Sequence, residues 1–231
     1  MKYKITNEPL PVLETLLEPG EMMQSEAGAM SWRSPNIRVE TTSAGGLGKM
    51  FGRALSGESL FLNYYYAEEQ TAELTFTSCF PGQILPLQID EDHQYICQKQ
   101  SFLCGTSGVE LSVAVQKKLS TGLFGGEGFV MQKLSGNGVA FLEIDGAAVH
   151  KDLAEGERLI VSSGYLAVMD TTCSIDIQSV GSAKRALFGG EGIFNTVITG
   201  PGHVILQSMP TAQLAHAIQP YVVTTTTTTS G

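Results

Sequence analysis

Positive charge is scarce in this chain: 14 Lys and Arg stand against 23 Asp and Glu over 231 residues, a formal net charge of −9. A phosphate backbone would meet a like-signed surface, which argues against general nucleic-acid binding. Cysteine is also sparse. Cys79, Cys97, Cys104 and Cys173 form no Cys-x-x-Cys pair and have no histidine at ligand spacing, the pattern of reduced thiols in a cytoplasmic protein. No apolar run nears the ~18 residues of a membrane-spanning helix, and Leu159-Ile160-Val161 is stopped at once by Ser162-Ser163-Gly164. The start, Met1-Lys2-Tyr3-Lys4-Ile5, lacks the apolar stretch of a secretory signal. What is present is 42% hydrophobic residues, 26 Gly and 9 Pro, the composition of a turn-rich chain around a real core.

Internal repetition organises that chain. Leu123-Phe124-Gly125-Gly126-Glu127-Gly128 recurs as Leu187-Phe188-Gly189-Gly190-Glu191-Gly192, 64 residues later. The same offset carries Leu134-Ser135-Gly136-Asn137-Gly138 onto Ile198-Thr199-Gly200-Pro201-Gly202, and Phe141-Leu142 onto Ile205-Leu206. A weaker copy lies upstream in Leu55-Ser56-Gly57-Glu58-Ser59-Leu60-Phe61. Leu17-Glu18-Pro19-Gly20-Glu21 likewise matches Leu153-Ala154-Glu155-Gly156-Glu157, with Leu87-Gln88-Ile89-Asp90-Glu91 as the degenerate middle version. These matches divide the chain into β-repeats at 1–78, 79–143 and 144–208, a C-terminal helix and end at 209–222, and a disordered Thr-rich tail at 223–231.

Alternation in Val109-Glu110-Leu111-Ser112-Val113-Ala114-Val115 and in Ser174-Ile175-Asp176-Ile177 is the period-2 signature of half-buried strands. Gly136-Asn137-Gly138, Gly200-Pro201-Gly202 and Asp145-Gly146 mark tight turns between antiparallel strands. The segments before the Gly-Glu turns, including Gln116 to Leu119, lack this alternation and read as loops or single helical turns. Thr211 to Gln219 reads as a helix, with Thr211 available as N-cap and Pro220 beyond its end.

Chemical motifs start but do not finish. Gly45-Gly46-Leu47-Gly48-Lys49-Met50 lacks both anchors of a phosphate loop, having Ser43 and Met50 where glycine and a hydroxyl residue belong. Gly57-Glu58-Ser59-Leu60-Phe61 lacks the closing glycine of a nucleophile elbow. His93, His150, His203 and His216 stand apart, without a ligand pair at metal spacing. No catalytic residue, cofactor or metal is therefore assigned. The candidate turns are Gly57-Glu58, Gly126-Glu127 and Gly190-Glu191, where a glutamate recurs at matching places. Each carboxylate is expected to accept backbone N–H bonds and order its turn, with a small-anion or partner site as the alternative. Glu127→Ala should then lower stability by about 1–3 kcal/mol in an unfolding titration.

Leu123 to Gly128, its copy at Leu187 to Gly192, Leu55 to Leu60, and Thr199-Gly200-Pro201-Gly202 together resemble the altered-inheritance-of-mitochondria family, over about Tyr3 to Val222. The resemblance implies a fold like that of the tryptophan RNA-binding attenuator protein: an all-β chain of three antiparallel β-units around a pseudo-threefold axis, of β-sandwich or double-stranded β-helix type, with a short C-terminal helix. It implies no established enzymatic activity. Charge opposes the RNA analogy in each repeat, with 6 basic to 10 acidic residues in 1–78, 4 to 6 in 79–143 and 4 to 7 in 144–208. The function expected is that of a non-catalytic binding or scaffolding protein that self-associates, with a protein or small-molecule partner that the residues do not name. The alternatives are an RNA-binding regulator and an enzyme or small-anion binder using the Gly-Glu turns.

Overall fold

A computed structural model describes residues 1–43, 61–117, 129–162, 164–179 and 194–222. The fold is built almost wholly of antiparallel strands. The first stretch holds β1 (Lys2–Thr6), β2 (Val12–Leu17), β3 (Met22–Glu26), β4 (Met30–Arg33), β5 (Ile37–Ser43), β6 (Phe61–Ala67) and β7 (Ala72–Thr77). Next come β8 (Gly82–Ile89), β9 (Tyr95–Gln98), β10 (Phe102–Thr106), β11 (Val109–Lys117), β12 (Phe129–Gly136) and β13 (Gly138–Asp145). The last stretch holds β14 (Ala148–Leu153), β15 (Arg158–Ser162), β16 (Leu166–Asp170), β17 (Ser174–Ser179), β18 (Phe194–Thr199) and β19 (Gly202–Gln207), followed by helix α1 (Thr211–Ile218).

Most pairings stay within a stretch. β7 lies between β2 and β4, and β6 between β3 and β5. In the same manner β13 lies between β8 and β10, and β12 between β9 and β11. Then β19 lies between β14 and β16, and β18 between β15 and β17. The register slips once in each of β4, β10 and β16, between Met30 and Trp32, Phe102 and Cys104, and Leu166 and Val168. Two further pairings, β3 with β10 and β9 with β16, join the stretches. The result is two six-stranded sheets, β5-β6-β3-β10-β13-β8 and β11-β12-β9-β16-β19-β14. A four-stranded sheet, β1-β2-β7-β4, and a three-stranded one, β15-β18-β17, complete the set.

Alternation explains which face each strand buries. In β11 the valines and Leu111 face inward or half-inward while Glu110, Ser112 and Ala114 are exposed. The inward faces make three apolar clusters, around Leu13, Tyr65, Phe76 and Phe141, around Ile89, Leu134 and Leu142, and around Phe129, Met131 and Ile198. Tyr65 is 1% exposed, while Tyr64 and Tyr66 on the opposite face are half-buried, as three tyrosines in one strand require. Across the β3–β10 junction the buried Gln24 amide donates to the Val109 and Thr106 carbonyls, so the contact is fixed by polar as well as apolar groups.

Three local readings are corrected by the pairing. Strand β8 runs on to Ile89, which faces Gly138 as Leu153 faces Gly202, so the turn after β8 spans Asp90 to His93 and starts two residues later than the Leu87 match implied. Its wiring is also reversed. Glu21 and Glu157 accept from the amides of Glu18 and Ala154 three residues earlier, whereas Asp90 accepts from the later amides of Asp92 and His93. Gln116 and Lys117 continue β11 rather than forming a loop. Finally, Thr211 is not the N-cap of α1: Pro210 holds that place, and Thr211 lies in the first turn with its amide and hydroxyl both donating to Asp145 Oδ2, at 3.1 and 2.5 Å.

Candidate functional site

The six residues singled out by the repeat, Gly57, Glu58, Gly126, Glu127, Gly190 and Glu191, lie outside the described residues. Three other places in the fold gather polar chemistry or open surface: a cavity beside α1, two unpaired strand edges, and a histidine pair on an outer strand face.

The cavity has a volume of about 500 Å³ and opens between the end of β13, the end of β19 and α1. In Glu143-Ile144-Asp145 the period of 2 sends Ile144 into the core and both carboxylates to the cavity face. Glu143 Oε1 accepts from the Cys79 amide at 2.9 Å and from the Ser78 hydroxyl, and the Phe80 amide donates to the same carboxylate. Burial pushes the Glu143 carboxyl above its usual range, and the neighbouring Asp145 charge pushes the same way. One strand pair further on, Gln207 occupies a matching place: its Oε1 accepts from the Asp145 amide at 3.1 Å. Its Nε2 donates to the Gly164 carbonyl at 2.7 Å and to Gln98 Oε1 at 3.3 Å. A carboxylate at one junction and a neutral amide at the next thus do the same job, which is to accept a backbone N–H. Cys79 lines the cavity with an exposed thiol, but no histidine stands among the lining residues to activate it. Burial drives the Cys97 thiol up to about 12 and Cys104 well above its usual value, so both are inert packing groups.

Among the eight strands that end the four sheets, two carry large exposed apolar side chains at the places where a further seam would form, β4 and β15. Each ends its sheet, with β4 bonded to β7 and β15 to β18 alone. Trp32 on β4 is 48% exposed and Ile160 on β15 is 64% exposed. Beside β15 runs a groove of about 440 Å³ lined by Leu159, Ile160, Val161, Tyr165 and Leu206.

Histidines that stand 53 apart in sequence meet on the outer face of β14 and β19. Antiparallel register sets Asp152 opposite His203 and His150 opposite Ile205, so His150, Asp152 and His203 share one face. His203 Nδ1 lies 2.6 Å from Asp152 Oδ1, and His203 Nε2 lies 2.9 Å from His150 Nδ1. The His203 amide donates to Asp170 Oδ2 at 2.7 Å, anchoring the backbone beneath the ring. Spacing along the chain hides this group. The one signal in the sequence is the alternation His150-Lys151-Asp152, which puts His150 and Asp152 on one face of a strand without pointing to His203. Among the described residues no trio of His, Cys, Asp or Glu side chains closes on a metal ion.

The architecture defines an antiparallel all-β protein whose sheets are shared between successive stretches of the chain. The AIM24 mitochondrial biogenesis family matches residues 3–209, and the chain belongs to that family. A Streptococcus pyogenes protein of known X-ray crystal structure is similar in fold, with a TM-score of 0.78 at 23% identity, covering 96% of this chain and 99% of that one. No curated protein gives a significant match. Among the described residues no helix is long and apolar enough to cross a membrane.

Proposed function

We propose that the protein is a non-catalytic scaffold of three β-units wound about a pseudo-threefold axis, and that it self-associates through the open edges of β4 and β15. The observation that carries this reading is the pairing of β3 with β10 and of β9 with β16, set against the unpaired outer sides of β15 and β4. Cys104 and Val168, each the first paired residue after the register slip, face Ser25 and Cys97. Trp32 holds the same place in β4, and Val161 lies 64 residues beyond Cys97. A third seam would set Trp32 opposite Val161. Two copies of the chain would form two such seams about a twofold axis, covering edges that otherwise invite uncontrolled strand pairing. The Glu143 and Gln207 equivalence supports a structural rather than catalytic reading of the cavity. A reducing aqueous compartment suits the buried thiols of Cys97, Cys104 and Cys173.

Light scattering at micromolar concentration should give a dimer. Trp32→Cys with Val161→Cys, in a Cys79→Ser background, should yield an oxidised cross-link at dimer mass on a non-reducing gel. A cross-link at monomer mass would mean that the seam closes within one chain, and this reading would fail.

A further inference from the structure

We propose that His150 and His203 form a two-histidine site for a divalent transition-metal ion of the copper and nickel class, oriented by Asp152. A carboxylate only accepts hydrogen bonds, so the 2.6 Å contact makes His203 Nδ1 the protonated nitrogen and turns the Nε2 lone pair toward His150. Nε2 and His150 Nδ1 then share one proton across 2.9 Å. Metal–imidazole bonds are ~2.0–2.1 Å, so two nitrogens 2.9 Å apart subtend about 90° at a common metal. That is the angle between neighbouring ligands in the square-planar or tetragonal geometry preferred by Cu(II) and Ni(II), whereas a tetrahedral ion would need a wider bite. The rings are tilted by 33° with centroids 5.2 Å apart, which sets the two nitrogens head-on, so each ring turns by about 45° to bring both lone pairs onto one ion.

The ion takes the place of the shared proton, which passes to His150 Nε2 or to solvent, and water fills the remaining ligand positions. Asp152 is not a ligand. It holds the His203 tautomer and leaves the Nε2 lone pair free for the ion, the arrangement of a carboxylate behind a metal-bound histidine. The backbone is rigid beneath both rings, because β14 and β19 pair over six consecutive residues and Asp170 holds the His203 amide.

The test is titration of the full chain with Cu(II), in a Cys79→Ser background so that the exposed thiol does not compete. One equivalent should bind, with nitrogen hyperfine structure from two imidazoles in the electron paramagnetic resonance spectrum. His150→Ala and His203→Ala should each weaken binding at least tenfold. Asp152→Asn should weaken it about tenfold with stoichiometry unchanged, while His93→Ala and His216→Ala should have no effect. Ni(II) added to the unaltered chain should perturb the proton resonances of two histidines out of four. Copper binding that survives loss of His150 and His203, binding lost with His93 or His216 instead, or no binding at all would overturn the proposal.

Discussion

Glu143 shows how one carboxylate can look like chemistry and act as structure. It lines a cavity, its carboxyl is pushed above the usual range by burial, and a second acid stands two residues away. Yet its oxygens already hold the Cys79 and Phe80 amides and the Ser78 hydroxyl. Glu143→Ala leaves those donors unpaired and should cost about 1–2 kcal/mol in denaturant unfolding at pH 7. Glu143→Gln keeps an acceptor, as Gln207 does naturally, and should cost less. The raised carboxyl also fixes the direction of the pH dependence. Stability from a carboxyl raised in the folded state is complete below its ordinary range and is lost as pH rises through the raised value. The original protein should therefore gain on Glu143→Gln as pH falls from 7 toward the ordinary glutamate range, and parallel melting series across that window will show it.

At the scale of elements, α1 depends on a residue from another strand. Asp145 at the end of β13 accepts from the Thr211 amide and hydroxyl and places negative charge at the positive end of the helix. Asp145→Ala should cost about 1 kcal/mol, and limited proteolysis should cut within residues 211–222 sooner than in the parent. Strand pairing sets a second constraint, at Gly82 opposite Asp145 in the β8–β13 ladder. A Cβ at Gly82 would overlap the Ile144 carbonyl oxygen, which is backbone and cannot rotate away. Gly82→Ala is expected to lower stability by about 1–3 kcal/mol, the range for overpacking a well-filled site, as read from the thermal midpoint with its enthalpy. At Gly136, the last residue of β12, φ is +91°, a region open to glycine at no steric cost, and a Cβ there would also overlap the Gly108 carbonyl oxygen.

For the molecule as a whole, the proposed dimer rests on the edges of β4 and β15. Ile160→Lys puts charge on the exposed face of β15 without touching the three buried clusters. It should shift the light-scattering mass from dimer to monomer while moving the unfolding midpoint by less than about 0.5 kcal/mol, as surface substitutions do. Phe141→Ala should do the reverse. Phe141 is fully buried, with Tyr3 packed edge-on at 4.9 Å between ring centroids, and its loss should cost about 3–5 kcal/mol.

The strand class, the turns at Gly136 and Gly146, and the helix over Thr211–Ile218 follow from local rules that each segment carries in itself: alternation, glycine freedom and helix-forming composition. The recurrence of Leu123 to Gly128 at Leu187 to Gly192 was equally legible, because identity at a fixed offset needs no structure. Tertiary structure alone decided which carboxylate caps α1, since Asp145 and Thr211 are 66 residues apart. It alone brought His150 and Asp152 to His203, because antiparallel register is a relation between two strands and neither strand's pattern states its partner. The open edges of β4 and β15 belong to the same class of fact: nothing within Met30–Arg33 or Arg158–Ser162 states a neighbour, and only the sheet order shows that each ends its sheet.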